Sequence, residues 1–197
     1  MIYRVFPLAP GAAPTEEGGP LFVPRALQGS SRHDNPEHYG ALYASRVPES
    51  AVAERIQAFR GRQLTDVHFQ RADGRRYALA SIDESGLADV VDLDDPAQLL
   101  HRALRPSLVA TRRRSDTQPI ALGIFQEGAS GLGWWSTLEA SWANVTLFAE
   151  RATPSLRQAG PPELLTVDHP VVRTAAELLG VSIAAVRPRH GARRRER

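Results

Sequence analysis

Apolar positions along the chain come in short runs separated by clusters of Pro and Gly, and the runs switch between strand-like and helix-like spacing. Ile2 to Phe6 reads as a strand. Pro7, Pro10, Pro14, Pro20 and Pro24, with Gly11, Gly18 and Gly19, then make an irregular segment to about Pro36, a length typical of functional or disordered loops. Ala41-Leu42-Tyr43-Ala44 predicts a second strand. Pro48 suits the first turn of a helix running to about Phe59, with Val52, Ile56 and Phe59 on one face. Thr65 to Gln70, the turn Arg71-Ala72-Asp73-Gly74 and Arg75 to Ile82 predict a hairpin. Val90 to Leu93 reads as a further strand. Asp94 or Asp95 caps a helix carrying Pro96, Leu99, Leu100, Ala103 and Leu104. A second helix starts near Ser115 or Asp116, carries Ile120, Ala121, Ile124 and Phe125, and stops at Gly128 before a glycine-rich turn with Gly131 and Gly133. Val145 to Ala149 is the next strand. After the break at Pro161-Pro162, Asp168 caps a helix from Pro170 to Leu179 that Gly180 ends, and Ser182 to Val186 closes the pattern. Strands and helices are mixed with a hairpin rather than strictly alternating, so the expected class is α+β, one compact domain rather than a doubly wound sheet.

The chain has 197 residues, enough to bury about 70% of the surface exposed when unfolded. It contains no lysine, so all 24 basic residues are arginine, against 22 acidic ones. Six of those arginines and one glutamate fall in residues 187–197, which leaves 18 basic and 21 acidic residues in 1–186. The basic pI of about 9.5 therefore reflects a short Arg-rich tail, expected to be disordered, attached to a slightly acidic domain over 1–186. Nucleic-acid binding is not expected except through that tail or a partner, because a binding domain carries its charge as a patch on the folded surface. The absence of Cys excludes disulfides, thiolate zinc sites and cysteine nucleophiles and suits a reducing compartment. No signal peptide is read at Met1 to Pro14 and no stretch approaches the ~20 apolar residues of a membrane span, so the expected location is the cytoplasm.

Several familiar sites are missing from the sequence. His33, His38, His68, His101, His169 and His190 show no paired metal spacing, so no metal is expected. There is no P-loop, Gly131-Leu132-Gly133 lacks the third glycine of a dinucleotide fingerprint, and Ser136 is not in a GxSxG elbow. Three features remain. Gly29-Ser30-Ser31-Arg32-His33-Asp34-Asn35-Pro36 places a guanidinium, able to grip a phosphate, on a turn rich in residues that hydrogen-bond backbone. Leu42-Tyr43 precedes Glu54, which lies about 200° round the helix from Val52, with Ala51 and Ala58 as neighbours on its face. Trp134-Trp135-Ser136 is followed by Trp142 and Asn144, an indole cluster that fits a core or an aromatic ligand wall.

The order of these features resembles the RES domain family, whose name records an Arg, a Glu and a Ser. Here they fall on Arg32, Glu54 and Ser136, and the resemblance runs from Tyr3-Arg4 to Arg151. Two segments depart from the family's usual pattern. Ser30-Ser31-Arg32-His33 stands where Gly-Gly-Arg followed by Trp or Phe is usual, and Gly131-Leu132-Gly133 replaces an Asp-Gly before the serine. The resemblance implies an ADP-ribosyltransferase-like fold and a bacterial toxin, from a toxin–antitoxin pair, that degrades NAD as a glycohydrolase or phosphorylase. It implies Glu54 near the ribose, Arg32 on the pyrophosphate and Tyr43 stacked on nicotinamide or adenine. Ser136 would orient Glu54 or the ribose, and Arg4 would be a second phosphate contact. It also implies an antitoxin partner, often of helix-turn-helix type, that occludes the site. The alternatives are ADP-ribosyl transfer to a protein and a non-catalytic interaction module.

Overall fold

The structure, a computed structural model, describes residues 1–184; the Arg-rich segment 187–197 and the end of the last expected strand lie outside the described residues. In chain order the elements are β1 (Ile2–Leu8), β2 (Ala41–Ser45), α1 (Pro48–Ile56), β3 (Gln63–Leu64), β4 (Arg76–Asp83), β5 (Val90–Asp92), α2 (Pro96–His101), α3 (Pro106–Val109) and α4 (Arg114–Gln126). They continue with β6 (Gly131–Trp135), β7 (Ala143–Phe148), α5 (Ala149–Ala152), β8 (Arg157–Gln158), β9 (Glu163–Leu164), α6 (Pro170–Leu179) and β10 (Ser182–Ile183). The main sheet has the order β5-β6-β7-β2-β1-β4-β8, and β9 also pairs with β4. Its pairs are antiparallel except for β5 and β6. A small parallel pair joins β10 to β3. The class is the expected α+β.

Three expectations are corrected. The first arm of the hairpin is not a strand, because Thr65 caps a 3-10 turn over Asp66–Phe69, with its side chain and that of His68 each meeting the other's backbone. Asp66 also accepts from the Val167 amide at 2.8 Å, which ties that turn to the segment before α6, and an isolated bridge between Gln70 and Arg76 is what remains of the expected pairing with β4. The glycine-rich turn after α4 is instead the strand β6. Gly131 belongs there because a Cβ would lie 2.6 Å from the Thr146 carbonyl oxygen on β7. At the start of α6 the N-cap is His169 rather than Asp168, and no side chain caps it.

Side-chain alternation makes the two faces of the sheet different. Ile2, Phe6, Leu42, Ala44, Ala78, Ala80, Ile82, Val145 and Leu147 fill one face and pack with Leu21, Ala152 and Leu156. The opposite face carries two separate apolar clusters. One joins β1 and β4 to α1 and α6 through Val52, Ile56, Leu79, Val172, Ala176 and Leu179. The other joins β6 and β7 to α2, α3 and α4 through Leu99, Val109, Ala121, Ile124, Leu132, Trp134 and Phe148. Register places Tyr43 opposite Thr146 and Ser45 opposite Asn144, so the strip of sheet between these two clusters is polar. No helix among the described residues is long and apolar enough to cross a membrane.

Candidate active site

A cavity of about 370 Å³ opens over that polar strip, within the range of roughly 300–1,000 Å³ usual for small-molecule sites. Its walls come from separate parts of the chain: Tyr3 and Val5 on β1, Ser31 and Arg32 on the loop, Tyr43 and Ser45 on β2, Ala51, Glu54 and Arg55 on α1, Tyr77 on β4, Trp134 on β6 and Asn144 on β7.

Glu54 reaches the cavity because the apolar stripe of α1, with Val52 and Ile56 fully buried, turns the opposite side of the helix toward it. The Ser136 hydroxyl donates to Glu54 Oε1 at 3.2 Å and Gln57 Nε2 donates to Oε2 at 2.8 Å. Ser136 is itself fixed, since its oxygen accepts from the Leu138 amide and its own amide donates to the Trp142 carbonyl. The expected pairing of Ser136 with Glu54 is thus present.

Arg32 stands across from them. Its Nη1 donates to the Val109 carbonyl at 2.8 Å and its guanidinium carbon lies 4.5 Å from the centre of the Trp134 ring, a cation–π contact. Burial lowers its proton affinity and the Glu54 charge works the other way, so the two groups share one electrostatic environment. The remaining N–H donors of Arg32 have no acceptor among the described residues, which leaves the fork able to meet an anion.

Tyr43 and Arg4 also border the cavity, with their polar ends engaged elsewhere. The Tyr43 ring lines the cavity, but its hydroxyl donates to Asp34 Oδ1 at 2.7 Å and accepts from the His33 amide at 2.9 Å. Burial and the Asp34 carboxylate push the phenol pKa up. Arg4 borders the cavity, yet β1 alternation sends its side chain to the other face of the sheet from Tyr3 and Val5. There Nη1 donates to the Pro20 carbonyl at 2.6 Å, and burial pushes the pKa down to about 10. That guanidinium holds the long loop against the sheet.

Other contributors carry no motif. Arg55 stacks over the Tyr77 ring with its guanidinium carbon 4.1 Å from the centroid and forms part of the wall. Asn144 accepts from the Ser45 hydroxyl at 2.6 Å and the Ser50 hydroxyl at 2.8 Å, pinning the first turn of α1 to the sheet one helical turn before Glu54. Asp34 had a readable signal, an acidic residue in a glycine-led turn. No group of three or more His, Cys, Asp or Glu suited to a metal lies among the described residues.

An α+β domain whose split sheet face holds an arginine, a glutamate and a serine around one cavity defines a small-molecule site built on separated elements. Residues 1–168 match the model of the RES domain, so the chain belongs to the RES domain family. No curated protein sequence matches it. Among solved structures, the fold is similar to a chain of the crystal structure of the M. tuberculosis MbcT–MbcA toxin–antitoxin complex. The TM-score is 0.60 at 19% identity, over 91% of this chain and 88% of that one.

Proposed function

We propose that the protein is a toxin that consumes NAD by breaking the bond between nicotinamide and ribose. The observation that carries this reading is the placement of the Glu54 carboxylate, oriented by Ser136, in the same cavity as the partly free guanidinium of Arg32. Family membership and the likeness to a toxin–antitoxin structure support it.

The chemistry needs few groups. As the C–N bond lengthens, its electron pair leaves with nicotinamide, which departs neutral, and the ribose carbon takes on oxocarbenium character. A carboxylate beside that carbon stabilises the positive charge as it develops, as in glycosidases. Glu54 takes that part, with the Ser136 hydroxyl holding one carboxylate oxygen and Gln57 Nε2 the other. Arg32 grips the pyrophosphate and places the reacting carbon. Water or phosphate then bonds to the ribose carbon; in the hydrolytic case the proton of water passes to Glu54 and on to solvent. A protein that covers the cavity mouth would restrain such an activity, which is the role of an antitoxin partner.

Purified protein incubated with NAD should release nicotinamide, and Glu54→Gln should slow the release by on the order of 10² to 10³. Equal release by both proteins, or none by the wild type at high concentration, refutes the reading. Dependence of the rate on added phosphate separates phosphorolysis from hydrolysis, and ADP-ribose found attached to a protein would identify transfer instead.

A further inference from the structure

The turn that carries Arg32 lies outside any strand or helix; Thr117 and Gln118 of α4 hold its carbonyls, while three of its amides end on one pair of side chains. Asp34 is 3% exposed. Its Oδ2 accepts from the Gly29 amide at 2.8 Å and the Ser31 amide at 2.7 Å, while Oδ1 accepts from the Tyr43 hydroxyl. The same hydroxyl accepts from the His33 amide, so amides on both sides of Arg32 end on the pair formed by Asp34 and Tyr43. Gly29 has φ 133°, a conformation suited to glycine, which lets the chain curl back over the carboxylate. Tyr43 sits within β2, in the middle of the sheet. The turn is therefore tied to a central strand of the sheet through an aspartate that is not among the three residues for which the family is named.

We propose that Asp34 is a positioning residue that, with the Tyr43 hydroxyl, sets the place of Arg32 and so governs NAD capture. The proposal rests on the NAD reading above. It assigns Tyr43 two separable parts, a ring that forms wall and a hydroxyl that forms the clamp.

The test is a cycle of variants read by steady-state NAD consumption and by hydrogen exchange. Asp34→Ala should raise KM for NAD by on the order of tenfold, the effect of losing hydrogen bonds to a charged group, and leave kcat within about twofold. Tyr43→Phe, which keeps the ring, should move KM in the same direction, and Asp34→Asn should recover part of the loss. In an Arg32→Ala background, adding Asp34→Ala should change kcat/KM by less than about twofold, because the residue acts through Arg32. An undiminished effect in that background, or a loss confined to kcat, overturns the proposal. Amides of Gly29, Ser31 and His33 should exchange faster in Asp34→Ala while those of β2 and β7 do not; unchanged protection also overturns it. The exchange readout needs no NAD, so a wild type that ignores NAD sinks the functional reading while Asp34's hold on the turn is still decided.

Discussion

His33, beside Arg32, packs as an aromatic side chain. Its ring meets Trp134 edge-on at 5.4 Å and lies nearly parallel to Tyr43 at 6.4 Å. At 2% exposure, with Nδ1 2.8 Å from the Thr146 hydroxyl, it stays neutral: burial first, and the Arg32 charge second, hold its pKa well below the usual value. In the unfolded chain the imidazole regains its ordinary pKa of about 6.5. Below that pH the unfolded state binds a proton that the folded state refuses, so stability falls as pH drops, by at most about 1.4 kcal/mol per pH unit, until the folded pKa is reached. Urea unfolding at pH 7.5, 6.5 and 5.5 should show His33→Phe losing less stability on acidification than the wild type; parallel losses would mean that the imidazole is not held neutral. At this scale Arg32, Glu54 and Ser136 were legible, because a family pattern names them in order. The partners of Tyr43 and Arg4 were not. Whether a hydroxyl meets a ligand or a buried aspartate depends on a loop path that residue types do not specify.

Among the elements, α1 shows how far pattern reading reaches. Its apolar stripe predicted both the buried face and the free side on which Glu54 sits, and Ala51 on that side does line the cavity. β6 shows where it stops, since glycines normally weaken a strand and read as a turn. Here Gly131 answers a close approach by β7: an added Cβ would meet the Thr146 carbonyl oxygen at 2.6 Å and Leu147 Cδ2 at 2.7 Å. Gly131→Ala should therefore force the strands apart and cost about 1–3 kcal/mol, lowering the melting temperature. It should also slow the proposed NAD consumption, because Trp134 lies on the same strand and Ser136 follows directly after it. Gly123 in α4 is the control: a Cβ there meets nothing within 4 Å, so Gly123→Ala should raise stability by about 0.5–1 kcal/mol. A Gly131→Ala protein as stable as the wild type would show that the close approach is not required.

Across the whole molecule, the site exists because one face of the sheet supports two helical clusters instead of one. The cavity is the gap between them, and its lining runs from Tyr3 to Asn144 in sequence. Local periodicity identifies each cluster but carries no record of the distance between them, which is set by how the helices pack. On the α1 side that packing is α1 against α6, where Val172, Ala175, Ala176 and Leu179 are buried against Val52, Ala53 and Ile56. Small residues at 175 and 176 let the two helices sit close. Ala176→Leu should overpack this contact, destabilise the protein by about 1–3 kcal/mol and push α1 toward the cavity. Because Glu54 rides on α1, the proposed NAD turnover should fall although position 176 touches neither the cavity nor Arg32. Leu178→Ala provides the comparison: that side chain is 62% exposed on the same helix, so its loss should leave both stability and turnover near the wild-type values. Thermal unfolding and NAD consumption measured on both variants decide the point. A turnover rate untouched by Ala176→Leu, in a protein that has lost stability, would mean that the glutamate is placed by its bond to Ser136 and the Asn144 pin alone, and not by the helix pair beneath it.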